Sequence, residues 1–420
     1  MTSKASLLFS PIRIGAIEVS GRLVKAATVE GCCTDDGFVT DELLEYYEQI
    51  AGGGTRLLIT GATCFDLYSR MGPRQLNADH DNKIPGLRRL TDAVHRHDSK
   101  IFMQIYHTGR QAMPHLAGRK DAVAPSPVLD PALGVKPRAM TPIEILETIQ
   151  GFSDAAVRAK EAGFDGVQIH AAHGYLISAF LTPHTNRRTD AYGGSFENRI
   201  RFLVEVYRAI RQEVGQDYPI IMKLNGSDDL PFRKGLMTEN LVEVAQRMED
   251  EGMDAVEISA GHYESGWTFE RSHWRKYFST ITTVGVGKNL PWHRRGAVRL
   301  GAPFLDWGLR RISAYSEGFN LKYSKQFKQA LTIPVICVGG FIRQEEMERA
   351  VVSGECDMVS VARALIADPF LYRHMQENVK GPQCDFCNLC FARATAGPID
   401  CFNEEVGAQK RSMLQKEANS

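Results

Sequence analysis

Short apolar runs rich in β-branched residues alternate with helical patterns along most of this chain, and no other feature constrains its fold as strongly. Parallel strands joined by crossover helices produce this alternation. Eight such units in one chain favour a closed (β/α)8 barrel over an open sheet. The predicted strands are Leu23–Ala27, Leu57–Thr60, Lys100–Ile105, Gly166–His170, Ile220–Leu224, Ala255–Ser259, Val335–Val338 and Met358–Val361.

The helix before the fourth strand has the clearest boundaries. It begins at Thr141-Pro142-Ile143-Glu144, a capping box with proline at the first helical position. Gly163 follows its last turn as a C-cap. Gly252 and Gly354 take the same place before the sixth and eighth strands, as short αβ loops require.

Two segments fall outside the repeat. Residues 261–316 are far longer than a normal βα loop, so we expect an excursion over the C-terminal end of the barrel. The tail after Pro382 carries a cysteine cluster, and its polar end, Gln409–Ser420, is predicted to be disordered. The expected α/β architecture is therefore a single TIM barrel over residues 1–381, with an insertion at about 261–316 and a cysteine-containing tail at 382–420. The excursion contains Trp267, Trp274, Trp292, Trp307, Arg294, Arg295, Arg299, Arg310 and Arg311.

The charge balance restricts the partners. Fifty Lys and Arg residues match fifty Asp and Glu residues, so the net charge is zero, which argues against nucleic acid and membrane partners. We find no signal peptide at Met1–Ser10 and no run that could span a bilayer, and we expect a soluble, cytoplasmic protein acting on a small molecule. The sequence is also compatible with a homo-oligomer.

Polar residues follow the predicted strands at the end of the barrel where active sites of this fold lie. Gln104 ends the third strand, His170, His173 and Tyr175 follow the fourth, and Lys223 lies on the fifth. The seventh and eighth strands lead into Gly339-Gly340 and Ala362-Arg363, where a phosphate commonly binds in this fold. A phosphate on one side and these polar groups at the centre suit flavin mononucleotide.

Four stretches of the sequence carry a resemblance to a known family. They are Gln104–Arg110, Ile169–Tyr175, Phe180–Pro183 and Asn186–Arg199, the last of which is too long to be a chance motif. Together they resemble the old yellow enzyme family (NADH:flavin oxidoreductases), near the branch that contains 2,4-dienoyl-CoA reductase. The resemblance implies a barrel with FMN that is reduced by NADH or NADPH and reoxidised by an α,β-unsaturated carbonyl compound.

The resemblance also implies roles for single residues. His170 and His173 would hydrogen-bond the substrate's carbonyl oxygen, and Tyr175 would protonate the α-carbon, with His262 as the competing donor. The family usually has proline where this chain has Ala27, and glycine where it has Ala362. Val29 takes the place of a flavin-modulating cysteine that some relatives have. The cofactor-binding residues that the resemblance implies are Ala26, Ala27, Thr28, Ala62, Gln104, His170, Lys223, Gly339, Gly340, Ala362 and Arg363.

The tail has four cysteines, Cys384, Cys387, Cys390 and Cys401, in the pattern C-x2-C-x2-C-x10-C. This spacing is compatible with a 4Fe-4S cluster, with zinc, or with a metal-free remnant of such a site. In the dienoyl-CoA reductase branch the second gap is one residue longer, so the alternatives stay open.

The first functional hypothesis is an FMN-dependent ene-reductase that moves hydride from NAD(P)H through flavin N5 to a C=C bond. An oxidative flavoenzyme of the amine dehydrogenase or demethylase kind is an alternative on the same barrel. A non-catalytic flavin electron-transfer subunit is another. The tryptophans of the excursion predict that it covers one flavin face and shapes a pocket for a bulky apolar ligand.

Overall fold

In a computed structural model the chain folds around a closed barrel of eight parallel strands, which confirms the predicted TIM barrel. The structure describes residues 6–114, 118, 121–230, 233–268, 270–394 and 396–419. The barrel strands, in chain order, are β3 (Leu23–Lys25), β4 (Leu57–Ile59), β5 (Lys100–Ile105), β8 (Gly166–Ala171), β9 (Ile220–Asn225), β10 (Ala255–Ser259), β11 (Val335–Val338) and β12 (Met358–Val361).

Two small pairs of strands lie outside the barrel, and helices connect the barrel strands. The pairs are β1 (Ile12–Ile14) with β2 (Ile17–Val19), and β6 (Val123–Ala124) with β7 (Arg138–Ala139). The α-helices are α1 (Asp41–Gly52), α2 (Ile84–His95), α3 (Pro142–Glu161), α4 (Leu176–Leu181), α5 (Phe196–Val214), α6 (Thr238–Asp250), α7 (Tyr277–Thr283), α8 (Trp292–Ile312), α9 (Leu321–Ala330), α10 (Gln344–Val352), α11 (Arg363–Ala367), α12 (Leu371–Glu377), α13 (Leu389–Ala392) and α14 (Glu404–Glu417).

The local signals act as predicted at α3. The Thr141 hydroxyl accepts a hydrogen bond from the Glu144 backbone N–H, and the Glu144 side chain accepts from the Thr141 backbone, which completes the capping box. Gly163, with φ +89°, follows the helix in the left-handed region that glycine tolerates best.

The barrel is filled by apolar side chains and closed at its N-terminal end. Ile14 and Val19 of the β1–β2 hairpin pack with interior residues such as Phe102, Ile221 and Met358 in one buried cluster. Because this end is blocked by apolar side chains, polar chemistry is confined to the opposite end, where the strands finish.

The excursion after β10 is mostly helical. It contains 3-10 turns at Tyr263–Thr268 and Val286–Asn289 together with α7 and α8. It shares a small apolar core with the tail, formed by Trp274, Tyr277 and Ala392.

The prediction of a disordered C-terminal end is wrong. Helix α14 extends to Glu417, whose carboxylate lies 2.8 Å from Arg373 Nη2 of α12, while Ser420 lies outside the described residues. Asn403 caps this helix by accepting hydrogen bonds from the backbone N–H groups of Glu405 and Val406. A capped helix end and an anchor on the barrel order a segment whose composition alone is polar.

Candidate active site

A deep cavity opens at the C-terminal ends of the barrel strands. It brings together most of the site residues predicted from the sequence, with further residues from the excursion and the tail. The predicted residues that line it are Ala26, Ala27, Thr28, Ala62, Gln104, His170, His173, Tyr175, Lys223, Gly339, Gly340, Ala362 and Arg363.

The floor of the cavity contains a chain of hydrogen-bonded polar side chains from four adjacent strands. Gln104 Nε2 donates to Gln168 Oε1 at 2.6 Å, and Gln168 Nε2 donates to Glu257 Oε2 at 2.8 Å. Lys223 Nζ lies 3.1 Å from the same carboxylate oxygen, and both charged side chains are buried. Each member is fixed by its strand and by its neighbour, so Gln104 and Lys223 are held rigidly at the cavity.

Gln168 and Glu257 were missed by sequence reasoning. Each lies in the middle of an apolar strand, Gly166–Ala171 and Ala255–Ser259, where a buried polar side chain needs a partner. That requirement is a signal from which both residues could have been found.

His170, His173 and Tyr175 form an aromatic cluster on one wall. The ring centroids of His170 and His173 lie 5.2 Å apart, and the Tyr175 ring lies 4.9 Å from His170 in an edge-to-face arrangement. His170 Nδ1 accepts a hydrogen bond from the Ala172 backbone N–H, and His173 Nε2 lies 2.7 Å from Ser259 Oγ. The first contact assigns the proton of a neutral His170 to Nε2.

The backbone after β8 is held in an unusual conformation. His173 has φ +62°, which is uncommon for a residue with a side chain. Its carbonyl accepts from the Tyr263 backbone N–H at 2.9 Å and from Gln111 Nε2 at 3.0 Å, and its own N–H donates to Asn225 Oδ1 at 3.0 Å. Three partners from different elements therefore fix the direction in which the imidazole points.

Removal from solvent keeps all three residues uncharged near neutral pH. Burial lowers the pKa of His170 well below its usual value and lowers the pKa of His173 to about 3, with the charge of Lys223 adding to both shifts. Burial raises the pKa of Tyr175 well above 10. Each imidazole can therefore donate one hydrogen bond, and the Tyr175 hydroxyl carries a proton.

His262 is not among the residues that line the cavity. Its ring lies behind Gly174, where an added Cβ would come within 2.2 Å of the imidazole, and it is fully buried. It lies next to an ionic network in which Glu264 contacts Arg110 and lies 2.9 Å from His184 Nε2. This position does not support the expectation that His262 competes with Tyr175 as the proton donor.

The open side of the cavity is covered by what we call the cap, residues 261–316 and 384–401. Phe386, Asn388, Cys390, Phe391 and Ile399 line the cavity from the tail. The Ile399 backbone N–H donates to the Glu30 carbonyl at 2.7 Å, which ties the tail to the loop after β3. No local signal in the sequence indicates that the tail forms part of the site.

Arg363 holds the two parts of the cap together. Its guanidinium donates to the Glu270 carbonyl, to the Arg271 carbonyl and to Asn388 Oδ1, and it lies over the Phe386 ring at 4.7 Å. The Arg363 side chain is therefore engaged in the cap, and the phosphate contact stays a prediction for its backbone.

Glu270 is a second residue that sequence reasoning missed. The residue lines the cavity and is only 9% exposed, and burial raises the pKa of its carboxyl group well above the usual value although Arg363 opposes the shift. The site thus contains a carboxyl group that tends to keep its proton.

The tryptophans predicted that the excursion shapes the ligand pocket, and the structure agrees with this only in part. The excursion does line the cavity, through Tyr263, Glu270 and Ile281. Trp274, however, is buried and donates from Nε1 to the Ser313 carbonyl, and Trp292 and Trp307 point to solvent. The Trp267 side chain lies outside the described part of the structure.

The four tail cysteines form no disulfide bond within the described part of the structure. Among the described residues, no three His, Cys, Asp or Glu side chains converge in a way that could hold a metal ion. The iron–sulfur cluster or zinc therefore remains a prediction.

The residues at the cavity fit the chemistry of FMN. The amide of Gln104 offers an acceptor and a donor to the pyrimidine edge of a flavin, and Lys223 offers a cation beside it. Gly340, with φ +71°, and Ala362 present backbone where a phosphate is expected. A barrel with this site defines a flavin-binding oxidoreductase scaffold.

Comparison with known proteins identifies the family. The sequence profile of the NADH:flavin oxidoreductase / NADH oxidase family matches residues 7–283 and 300–381. The chain therefore belongs to this family, and the expected old yellow enzyme membership is confirmed.

Relatives and a solved structure agree with this assignment. The chain is 36% identical over 386 residues to an NADH oxidase of Thermoanaerobacter brockii, covering 91% of this chain and 53% of that protein, so it spans about half of that relative's length. It is 32% identical over 400 residues to a 4,4'-dithiodibutanoate disulfide reductase of Rhodococcus erythropolis, covering 94% and 95% of the two chains. A structure of a 2-naphthoyl-CoA reductase–2-naphthoyl-CoA complex matches with a TM-score of 0.80 and 28% identity, over 96% of this chain and 58% of that one.

Proposed function

We propose that this protein is an FMN-dependent ene-reductase that uses NADH or NADPH to reduce the C=C bond of an α,β-unsaturated carbonyl compound. The observation that carries the proposal is the uncharged His170–His173–Tyr175 cluster on the cavity wall. Two hydrogen-bond donors beside a proton donor are what this reaction requires of the protein.

When bound, FMN supplies the hydride, which it obtains from NAD(P)H. Gln104 would bind the pyrimidine edge, and Lys223 would stabilise the negative charge that develops there on reduction. His170 and His173 donate hydrogen bonds to the substrate's carbonyl oxygen, which draws electron density from the β-carbon. Tyr175 gives its hydroxyl proton to the α-carbon. The alkene thus gains one hydride and one proton.

The deciding experiment separates the two half-reactions in stopped flow. Tyr175→Phe should leave flavin reduction by NAD(P)H nearly unchanged and slow reoxidation by an enone about 10²–10⁴-fold, the usual scale of general acid catalysis. Tyr263→Phe is the matched control, because Tyr263 also lines the cavity but has no assigned role. Normal reoxidation of Tyr175→Phe would remove the proton-donor assignment.

The two alternatives give different results with the unmodified protein. An amine dehydrogenase or demethylase would bleach its flavin on anaerobic mixing with an amine substrate, without any nicotinamide. An electron-transfer subunit would turn over neither amines nor enones. We expect NAD(P)H oxidation that depends on the added enone.

A further inference from the structure

Helix α8 exposes an apolar stripe that the barrel does not cover. Trp292, Leu300, Phe304 and Trp307 are 80%, 88%, 72% and 46% exposed. They are spaced eight, four and three residues apart, so they lie along one side of the helix over about 22 Å. A stripe of this size on a soluble enzyme marks an interaction surface.

The same helix is strongly cationic. It carries five arginines and one acidic residue, Asp306, which is buried and accepts a hydrogen bond from the Phe278 backbone N–H at 3.2 Å. Arg311 lies over the Trp307 ring at 4.8 Å. The other arginines of the helix are Arg294, Arg295, Arg299 and Arg310. The exposed charge of α8 is therefore positive although the net charge of the chain is zero. This local charge favours an anionic partner and revises the expectation, drawn from the net charge alone, that no membrane is bound.

The first part of α8 lies in residues 284–299, which the family profile does not match. The barrel can therefore be built without it. On its inner side α8 packs on α7, and Ile281 of α7 lines the active-site cavity. The stripe thus forms the outer layer of the cap, one helix away from the site.

We propose that α8 docks the protein on an anionic lipid surface, with the active-site end of the barrel turned toward the membrane. Tryptophan, phenylalanine and leucine would enter the interface while the arginines bind lipid phosphates, as in helices that lie in the plane of a membrane. In a symmetric contact between two copies of the chain, the five arginines of one α8 would face the five arginines of the other and repel them. None of the described helices is long and apolar enough to cross a bilayer.

Vesicle sedimentation of the FMN-loaded full chain tests the proposal. We expect binding to vesicles in which about a third of the lipid is phosphatidylglycerol, little binding to pure phosphatidylcholine, and weakening of the binding by salt. Replacing Arg294, Arg295 and Arg299 by glutamine should lower partitioning by about 10²-fold, since each arginine near such a surface contributes about five-fold. Leu300→Glu with Phe304→Glu should abolish it.

Val352→Glu is the matched control, because Val352 is 70% exposed on α10 and its change should leave vesicle binding unaltered. FMN content and enone turnover of every variant should equal those of the parent, since none of the substituted side chains is buried or lines the cavity. Binding needs no turnover, so this test is independent of the proposed reaction. Failure to bind the vesicles that contain phosphatidylglycerol would overturn the proposal. A complex formed without lipid, between two copies of the chain or with an acidic protein, would also overturn it if Leu300→Glu dissociates that complex.

Discussion

The floor of the active-site cavity and the cap over it are built in different ways. On the floor, Gln104, Gln168, Lys223 and Glu257 lie on four successive barrel strands. Gln168 binds both Gln104 and Glu257, and Glu257 also pairs with Lys223. In the cap, contacts join residues far apart in sequence, such as Asn388 and the Glu270 carbonyl, 118 positions earlier. The floor is fixed by the fold of the family, whereas the cap depends on tertiary contacts between an excursion and a tail. We infer that chemistry is set by the floor and substrate selection by the cap.

Among the changes that test the contrast between floor and cap, Lys223→Met on the floor should have the largest effect. Loss of the ammonium group should slow flavin reduction by on the order of 10²–10³-fold, because the charge that develops on the cofactor loses its partner. Stopped-flow mixing of the FMN-loaded variant with NADH or NADPH measures this rate.

Lys223→Met also leaves Glu257 as an unpaired buried charge, which costs about 3–5 kcal/mol of stability. The double variant with Glu257→Gln separates the two effects. It should recover most of the lost stability in thermal unfolding but not the rate. Recovery of the rate as well would mean that Lys223 acts only through the fold.

In the cap, Asn388→Ala removes an acceptor of Arg363 at 2.8 Å and a donor to the Glu270 carbonyl at 3.2 Å. We expect KM for a bulky enone to rise about ten-fold, since each lost buried contact costs about 1–3 kcal/mol, while FMN stays bound. Steady-state kinetics with small and bulky enones measure the change.

Asn403→Ala is the matched control for that variant. Asn403 lies in the tail, away from the cavity lining, and caps α14. Its loss should cost about 1 kcal/mol of stability and leave KM unchanged. Equal effects of the two variants on KM would show that the cap responds to any loosening of the tail.

The same contrast explains how much the sequence could predict. His170 and Lys223 were predictable because strand ends in a parallel barrel meet at one face, so local sequence fixes their place. The β1–β2 hairpin was missed, although Ile14-Gly15-Ala16-Ile17 is a two-residue turn signal, because its strands have only three residues each. Glu270 and Asn388 could not be found, since nothing local shows which distant segment folds against them.

Glu270→Gln gives a smaller effect, on pH dependence. In the unfolded chain the pKa of a glutamate is about 4.3, so the side chain loses its proton above that pH. In the native state Glu270 keeps its proton to higher pH, because burial raises its pKa. Folding stability therefore falls as the pH rises above the pKa of the unfolded state. Glutamine mimics the protonated acid, so Glu270→Gln removes this loss of stability. The variant should melt roughly 1–4 °C above the parent at pH about 8 and at the same temperature at pH about 4. A constant difference across this range would indicate that Glu270 is ionised in the native protein.

The smallest effect is expected at the cysteines, from Cys387→Ser. The Cys387 side chain packs in the cap as a small buried group and is not among the residues that line the cavity. We therefore expect FMN content and enone turnover within about two-fold of the parent, because serine is nearly isosteric and the floor is untouched. Iron, zinc and acid-labile sulfide should be measured on protein purified without oxygen, with Cys356→Ala, outside the tail, as the control. Iron and sulfide in equal amounts that disappear in Cys387→Ser alone would establish the cluster. The cap would then be held by a cofactor as firmly as the strands hold the floor, and the contrast between the two regions would fail.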